Sequence, residues 1–177
     1  REGGQGFAVS LTEGQKTGWF FDQAANRDRL MKYVADRRVL DVFSYVGAWG
    51  VRAAAAGARD VTCVDSSERA LAGVADNAAR NGVADRVRTE RGDAFTVLKA
   101  LKAAGERYDV VILDPPAFIK RRKDTKEGQL AYRRLNEAGL TLLERDGLLV
   151  TASCSFHMAA EDLLRTAQQA ARANDRS

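Results

Sequence analysis

Five side chains that can take part in chemistry each lie at the end of a predicted strand. Asp41 closes the first buried strand, and Asp65, Asp93, Asp114 and Cys154 follow the four later ones. The carboxyl ends of parallel strands meet at one edge of an open α/β sheet, which is where such sheets bind their ligands. Four acids and a thiol at these positions exceed chance placement and therefore indicate a ligand site along that edge.

The turn after the first strand narrows the choice of ligand. Residues 39–57 are predicted to form a strand, a small-residue turn over residues 44–50 and an Ala-rich helix. The turn contains only Gly47 and Gly50, not the G-x-G-x-x-G of dinucleotide-binding proteins, and Asp41 would repel a diphosphate but attract an ammonium group. Free N–H groups at the start of the helix would suit a carboxylate. Both features favour the methionine tail of S-adenosylmethionine; a plain strand–turn–helix is the alternative.

Asp65 and Asp93 occupy positions suited to a nucleoside. An acid at the end of the second strand of such a sheet can hold both hydroxyls of a ribose. Asp93 and Ala94 follow the third strand, within reach of an adenine. Each acid also has a structural alternative, because Asp is a favoured residue at the start of a helix.

The segment from Asp114 to Phe118, D-P-P-A-F, follows the clearest buried strand. Two consecutive prolines stiffen the backbone and remove two N–H donors, which predicts a rigid ledge that carries Asp114. Phe118 would then be free to stack on a base. A simple strand stop is the alternative, but the combination favours group transfer to a planar nitrogenous target.

Cys154 lies in T-A-S-C-S, at the end of the fifth predicted strand. A thiolate at this position could add to C6 of a pyrimidine. C5 would then be nucleophilic enough to accept a methyl group from a sulfonium, and loss of the thiol would restore the ring. Asp114 could hydrogen-bond the ring edge and stabilise the adduct. The alternative is an inert buried thiol, which is the better interpretation for Cys63 in the middle of the second strand.

The composition excludes several other classes of protein. A single histidine, His157, argues against a histidine-based metal cluster, so no metal is expected. Two cysteines do not make a disulfide framework and favour a reducing cytoplasm. No apolar run approaches the roughly 18 residues of a membrane span, and no signal peptide is visible in the sequence. The first residue is Arg1 and not Met, which suggests a fragment.

The charge distribution favours an acidic partner. The net charge is +4, and a basic run extends from Lys120 to Lys126, just after Phe118. These side chains could bind nucleic-acid phosphates at the mouth of the site. A solvated loop is the equally open alternative.

The remaining pattern predicts an α/β fold. Residues 7–11 and 17–21 read as an N-terminal β-hairpin, and Asn26 to Ala35 as a helix. Five strands then alternate with helices, which predicts a Rossmann-like three-layer sandwich with a mostly parallel sheet. We therefore divide the chain into an N-terminal segment, residues 1–35, and a main domain, residues 36–177. The predicted strands are Val39–Phe43, Asp60–Val64, Val87–Glu90, Tyr108–Leu113 and Gly147–Ala152, and the longest helix is Gln129–Glu144.

These motifs together identify a family resemblance. Gly14 to Arg27, G-Q-K-T-G-W-F-F-D-Q-A-A-N-R, is similar to the signature G-x-K-T-G-x-(aromatic)-L-D-Q-R-x-N-R. With V-L-D-V-F-S-Y-V-G-A-W-G, V-D-S-S, D-P-P-A-F and T-A-S-C-S, the chain resembles the catalytic domain of the ribosomal RNA large-subunit cytosine-5 methyltransferases, which are class I S-adenosylmethionine-dependent enzymes. The chain departs from the family at Ala24, where Arg is usual, and at Val46 and Ala48, where the turn usually has Thr and Gly.

The resemblance implies a set of site residues. Cys154 would be the nucleophile, assisted by Asp114, and the N-terminal signature would help enclose the cofactor. The expected cofactor-binding residues are Lys16, Thr17, Phe20, Arg27, Asp41, Phe43, Ser44, Gly47, Asp65, Ser66, Asp93, Ala94, Asp114 and Pro115. The family also carries a small N-terminal RNA-binding domain and two further C-terminal strands. Both are expected to be missing here, so a homodimer that covers the exposed edge is kept open.

The leading hypothesis is a cytoplasmic enzyme that methylates C5 of a cytosine in ribosomal RNA through Cys154. It would consume S-adenosylmethionine and release S-adenosylhomocysteine, with RNA and no membrane as partner. Methylation of another RNA base atom without a covalent step is one alternative. A non-catalytic module that binds RNA or a nucleotide on the same fold is the other.

Overall fold

The computed structural model describes residues 1–9 and 18–176, which form two compact units, Arg1–Gly92 and Asp93–Ser177. We call them the first and second unit. Each consists of parallel strands that alternate with helices. The functional division predicted at residue 35 stays a prediction.

The first unit contains three parallel strands with β2 in the middle. Residues 39–42 of β1 and 61–64 of β2 are buried, as both faces of such a sheet must be apolar. In this register Asp41 lies beside Cys63, and Cys63 beside Thr89. The elements are a 3-10 turn at Phe21–Gln23, α1 (Ala24–Leu30), a 3-10 turn at Met31–Tyr33, β1 (Arg38–Val42), α2 (Gly50–Ala55), β2 (Asp60–Asp65), α3 (Glu68–Arg80), a 3-10 turn at Ala84–Arg86 and β3 (Val87–Arg91).

The N-terminal segment differs from the predicted hairpin. Residues 10–17 lie outside the described part, and residues 7–9 and 18–20 have no strand assignment. Two side-chain amides, one in α3 and one directly after it, hold residues 6 and 8 instead. Asn81 Oδ1 accepts from Gly6 N at 3.0 Å, and Asn77 Oδ1 accepts from Ala8 N at 2.8 Å. Asn77 Nδ2 also donates to Val46 O at 3.0 Å. The segment is thus fixed by side chains that sequence periodicity does not reveal.

The second unit contains two parallel strands and three helices. Its elements are α4 (Ala94–Ala103), β4 (Tyr108–Leu113), a 3-10 turn at Arg122–Asp124, α5 (Thr125–Leu140), β5 (Leu143–Thr151) and α6 (Ala160–Ala173). Leu113 pairs with Thr151 at the carboxyl ends of β4 and β5. Gly139 lets α5 approach β4 closely, because a Cβ there would lie 3.0 Å from Leu113 Cδ1.

The predicted bounds of the long helix and of the fifth strand are both wrong. Helix α5 begins four residues before the predicted Gln129, at Thr125, and it ends at Leu140. Glu144 therefore belongs to β5, which starts at Leu143 and is irregular between the pairings of Tyr108 and Val110. The apolar pair Leu142–Leu143 satisfies a helix period and a buried strand equally well, which explains the error.

The alternation of parallel strands and helices is that of a Rossmann-like α/β fold, as predicted. Among the described residues, no helix combines the length and the apolar character needed to cross a bilayer.

Candidate functional site

The turn after β1 has an unusual backbone. Phe43 and Tyr45 have positive φ angles of 64° and 49°, and Gly47 has a φ of 85°. Non-glycine residues in this region cost on the order of 1 kcal/mol each and cluster at functional sites. The end of β2 secures the turn, because Ser44 N donates to Val64 O at 3.0 Å. Glycine is required at position 47 on two grounds, since a Cβ would also lie 2.8 Å from Val51 Cγ2.

Asp41 braces this turn from inside. The residue is fully buried, and its Oδ2 accepts a hydrogen bond from Gly50 N at 2.8 Å. Val51 N donates to Gly47 O at 2.8 Å. The N–H groups of Gly50 and Val51 at the start of α2 are therefore bonded within the chain, whereas the sequence pattern predicted them to be free. Helix α2 also has only six residues. Contact between Asp41 and a ligand ammonium group stays a prediction; its observed role is to hold the turn.

Ser44 carries a buried polar atom that the chain does not satisfy. The residue is 3% exposed, and among the described residues its Oγ has no hydrogen-bond partner. A buried hydroxyl without a partner costs about 1–3 kcal/mol. A polar ligand atom at this turn would remove that cost, so the position fits the cofactor contact predicted for Ser44.

Asp65 organises the same turn from the end of β2. Its Oδ2 accepts from Tyr45 N at 3.0 Å and its Oδ1 from Ser67 N at 2.9 Å. Ser67, not Asp65, caps α3, because Ser67 Oγ accepts from Ala70 N at 3.2 Å. Each carboxylate oxygen keeps a second lone pair, so the half-exposed Asp65 can still accept from ribose hydroxyls. That role, and a contact from the exposed Ser66, stay predictions.

Arg27 has a different position from the one its predicted role suggests. It is 1% exposed, and its guanidinium lies 5.3 Å from the ring centroid of Trp19 and 5.7 Å from that of Trp49. Its Nε and Nη2 bind Glu2 at 2.6 and 2.7 Å. Protein groups therefore occupy this side chain. Its role in enclosing the cofactor stays a prediction, for which an indirect route is available.

The indirect route runs through Phe20. Arg27 Nη2 donates to Phe20 O at 2.8 Å, and the Phe20 ring meets Tyr45 edge to face with centroids 6.4 Å apart. Phe20 is 40% exposed. Arg27 thus fixes an exposed aromatic ring beside the β1 turn, which suits enclosure of a ligand. Lys16 and Thr17, the other residues of this predicted group, lie outside the described residues.

In the second unit, Asp93 caps α4. Its Oδ1 accepts from Thr96 N at 3.1 Å, which confirms the structural alternative for this residue. Asp93 is exposed and Ala94 is buried. Their predicted contacts with an adenine stay predictions.

The D-P-P-A-F segment leaves β4 and packs against α5. Asp114 is half-buried and Pro115 is buried. Phe118 is half-buried, and its ring packs on Tyr132 with centroids 4.8 Å apart, so its stacking on a base stays a prediction. Gly128 of α5 permits this approach, since a Cβ there would lie 2.3 Å from Ile119 Cγ1. The segment is therefore a ledge supported by the helix beneath it.

The two cysteines have opposite environments. Cys154 is exposed, and its Sγ lies 3.8 Å from Pro115 O, so the thiol is accessible and adjacent to the Asp-Pro-Pro segment. Cys63 is fully buried. Burial, helped by the charge of Asp41, raises the pKa of the Cys63 thiol well above 9.0, so it stays protonated. Cys63 is the inert thiol that was predicted, and Cys154 meets the access requirement of a nucleophile.

A hydrogen-bonded network on both sides of Cys154 was not predicted. The hydroxyl of Tyr132 lies 2.8 Å from Ser153 Oγ and 2.9 Å from Ser155 Oγ. The paired serines of T-A-S-C-S were visible in the sequence. Tyr132 was not identifiable, because it lies more than twenty positions earlier on α5.

Phe156 is the second residue that sequence reasoning missed. Its side chain is 94% exposed, two positions after Cys154. His157 meets it edge to face, with ring centroids 5.2 Å apart. An exposed aromatic next to an accessible thiol is a surface on which a base can stack.

The basic run is exposed but not a loop throughout. Residues 122–124 form a 3-10 turn, and Lys126 belongs to α5. Arg121 is paired with Asp124 at 3.0 Å. Across the part of the chain that the structure covers, no group of His, Cys, Asp and Glu is arranged to hold a metal ion.

Comparison with known proteins places the chain among methyltransferases. The family model described as S-adenosylmethionine-dependent methyltransferase matches residues 1–173. A ribosomal RNA large subunit methyltransferase of Deinococcus radiodurans is 41% identical over 177 residues, which cover 99% of this chain and 43% of that protein. Ribosomal RNA large subunit methyltransferase I of Klebsiella pneumoniae is 37% identical over 162 residues, covering 90% of this chain and 40% of that protein.

Comparison with solved structures also finds methyltransferases. A protein assigned as a methyltransferase and solved with S-adenosylhomocysteine has a TM-score of 0.85 and 28% identity over 96% of this chain and 45% of its own. The S-adenosylmethionine-dependent methyltransferase of Agrobacterium tumefaciens has a TM-score of 0.72 and 25% identity over 87% of this chain and 51% of its own. The chain spans about two fifths of the length of the curated relatives it matches. A β1 turn with strained residues, an Asp-Pro-Pro ledge and a family match over nearly the whole length lead to one conclusion: the chain belongs to the S-adenosylmethionine-dependent methyltransferase family.

Proposed function

We propose that this chain methylates C5 of a cytosine in ribosomal RNA, with Cys154 as the covalent nucleophile. The observation that carries the proposal is the exposed Cys154 sulfur, 3.8 Å from the carbonyl oxygen of Pro115 in the Asp-Pro-Pro segment. The names of the relatives support ribosomal RNA as the substrate. An enzyme with this substrate would act in the cytoplasm.

The first unit supplies the residues that suit the cofactor. S-adenosylmethionine contributes a methyl group activated by its sulfonium. The unsatisfied hydroxyl of Ser44 and the remaining lone pairs of Asp65 are acceptors or donors for its polar groups. Phe20, exposed beside Tyr45, offers an aromatic surface for the rest of the molecule.

The second unit supplies the groups that act on the base. The Cys154 thiolate adds to C6 of the cytosine, so a C–S bond forms and electron density moves to C5. C5 then takes the methyl group, and the donor leaves as S-adenosylhomocysteine. The proton on C5 departs to water, the C–S bond breaks, and the aromatic ring returns with the thiolate regenerated. Asp114, at the carboxyl end of β4, hydrogen-bonds the ring edge and stabilises the adduct.

Two surface features of the second unit suit an RNA partner. The exposed basic residues between Lys120 and Lys126 can bind phosphates. Phe156, almost fully exposed, can stack on an unpaired base. Both lie on segments that adjoin the candidate catalytic residues in sequence, Asp114 and Cys154.

The test is covalent trapping on RNA that contains 5-fluorocytidine. Fluorine replaces the C5 proton and cannot leave as a cation after methyl transfer, so the thiol route must stall as a protein–RNA adduct. We expect the wild-type protein and Cys63→Ala to form this adduct with S-adenosylmethionine present, and Cys154→Ala to form none while it still binds S-adenosylhomocysteine in calorimetry.

Other results would replace the proposal with one of its alternatives. Full turnover by Cys154→Ala would indicate methylation without a covalent step, and mass spectrometry of the RNA would then locate the modified atom. Failure of the wild-type protein to bind S-adenosylhomocysteine would indicate a non-catalytic binding module.

A further inference from the structure

A closed ring of hydrogen bonds links the two serines that flank Cys154 in the sequence. Ser155 N donates to Ser153 Oγ at 3.1 Å, and Ser153 Oγ donates to the Tyr132 hydroxyl at 2.8 Å. The Tyr132 hydroxyl and Ser155 Oγ complete the ring at 2.9 Å. The serines on either side of Cys154 are thus tied to each other and to one phenol of α5.

The ring is also joined to the Asp-Pro-Pro segment. Either hydroxyl can be the donor in the bond between Tyr132 and Ser155. Ser155 Oγ in addition accepts from Ile119 N at 3.1 Å. Tyr132 is fully buried and Ser155 is 5% exposed, so water does not compete for these bonds.

The same tyrosine also supports the Asp-Pro-Pro segment. Its ring packs on Phe118, and it belongs to a buried cluster with Ile119 and Met158. The hydrogen bond from Ile119 N to Ser155 Oγ joins the two segments directly. One side chain therefore fixes both the segment that carries Asp114 and the segment that carries Cys154.

We propose that Tyr132 is a positioning residue for the Cys154 thiol. Its hydroxyl holds Ser153 and Ser155 at the spacing that keeps the Cys154 sulfur beside Pro115 O, and its ring holds the Asp-Pro-Pro segment in register with it. The proposal rests on the covalent reaction proposed above. Tyr132 touches neither RNA nor cofactor in this role, and it acts only on where the nucleophile sits.

The decisive variant is Tyr132→Phe, which removes the hydroxyl and keeps the ring. Small displacements of a reacting group can cost about 100-fold in rate, so we expect kcat for RNA methylation to fall about 10- to 100-fold. KM for RNA and the affinity for S-adenosylhomocysteine should not change. Tyr108→Phe is the matched control, because Tyr108 is equally buried but begins β4, at the opposite end from Asp114. It should keep wild-type kcat.

A second measurement separates this claim from the proposed function. The rate at which iodoacetamide alkylates the exposed Cys154 can be measured in the intact free protein, without RNA or cofactor. The Cys154→Ala variant gives the background rate of alkylation at other sites. We expect Tyr132→Phe to change the alkylation rate and Tyr108→Phe to leave it unchanged. If Cys154→Ala retains turnover, the covalent reaction fails, and the alkylation rates still decide the role of Tyr132.

Two results would overturn the positioning role. One is a Tyr132→Phe protein with wild-type kcat and wild-type alkylation rate. The other is an equal loss of kcat in Tyr108→Phe, which would indicate general destabilisation. If Tyr132→Phe does not fold, Ser153→Ala takes its place. This variant removes the hydroxyl that donates to Tyr132, and Ser153 is only half-buried. Its kcat and its alkylation rate are then compared with those of the wild type in the same way.

Discussion

The Glu2 carboxylate binds the buried guanidinium of Arg27, with Oε1 2.6 Å from Nε. Arg52 Nη1 binds the same oxygen at 2.7 Å, and Trp19 Nε1 donates to Oε2 at 2.9 Å. Burial raises the pKa of the Glu2 carboxyl, but the hydrogen bonds from Arg27 and Trp19 and the positive charge of Arg27 outweigh it and lower the pKa from 4.5 to about 2. Arg27, which belongs to the N-terminal signature, is thus held in an ion cluster within the protein. From there it donates a hydrogen bond to the backbone of Phe20.

The first prediction concerns the stability of this cluster. Because the folded pKa of Glu2 is depressed, its contribution to the free energy of unfolding is complete above pH 4.5 and is lost as the pH falls toward 2. Glu2→Gln should therefore lower the free energy of unfolding by about 3 kcal/mol at pH 7. Its deficit relative to the wild type should shrink below pH 4.5, as measured by urea denaturation across the pH range.

Glu68→Gln is the matched control. Glu68 pairs with Arg91 at 2.7 Å, but its side chain is 78% exposed, so the loss should stay within about 1 kcal/mol. Equal effects of the two substitutions, or a deficit at Glu2 that does not depend on pH, would contradict the buried-cluster account.

The second prediction concerns the approach of α2 to the sheet. A Cβ on Gly50 would lie 2.5 Å from Cys63 Sγ and 3.1 Å from Asp41 Oδ2. Gly50→Ala should therefore destabilise the protein by about 1–3 kcal/mol and weaken binding of S-adenosylhomocysteine by disturbing the β1 turn. The double variant with Cys63→Ala, which removes the obstructing sulfur, should recover part of both losses in thermal denaturation and calorimetry. No recovery would mean that Cys63 is not the obstruction.

The third prediction concerns Asp65. Both of its oxygens accept backbone N–H groups, from Tyr45 and Ser67. Asn at this position would place an NH2 group opposite one of those donors, so Asp65→Asn should weaken S-adenosylhomocysteine binding about 10-fold or more. Asp85→Asn, an exposed change in the same unit, should leave calorimetric affinity unchanged. Unchanged affinity in Asp65→Asn would remove Asp65 from the cofactor site.

The fourth prediction concerns Phe156. Stacking of a base on an aromatic side chain is worth about 1–3 kcal/mol, so Phe156→Ala should raise KM for RNA about 10-fold or more. The melting temperature and the affinity for S-adenosylhomocysteine should not change, because the side chain is 94% exposed. Leu164→Ala, an exposed apolar truncation on α6, is the control in the same kinetic assay. An unaltered KM in Phe156→Ala would exclude the stacking role.

Local patterns predicted the framework of the fold well. The bounds of β4, Tyr108–Leu113, match the prediction, because a run of mostly apolar and aromatic residues with a sharp proline stop leaves little choice. Ser67 caps α3, a position at which Ser is a favoured residue. Such features depend only on neighbouring residues, and the family match then agrees with the motif resemblance over nearly the whole chain.

The candidate site was less predictable, because its contacts join distant parts of the sequence. Arg27 is enclosed by Glu2 and Trp49, which lie on opposite sides of it in the chain. Phe118 packs on Tyr132, which lies 14 positions later on α5. The described residues of the predicted hairpin have no strand assignment, and Asn77 instead holds the backbone of Ala8 across 69 positions. No spacing rule reveals such pairings.

Helix α5 shows how this architecture limits protein engineering. Replacing helical glycines with alanine is a routine way to make an enzyme more heat-resistant, since it gains about 1 kcal/mol per position. At Gly128 and Gly139 the added methyl group would press on Ile119 and Leu113. The two glycines lower the intrinsic stability of the helix but allow it to pack closely against these two residues. Gly128→Ala and Gly139→Ala would therefore disturb this packing, and stabilising substitutions must be sought at other positions.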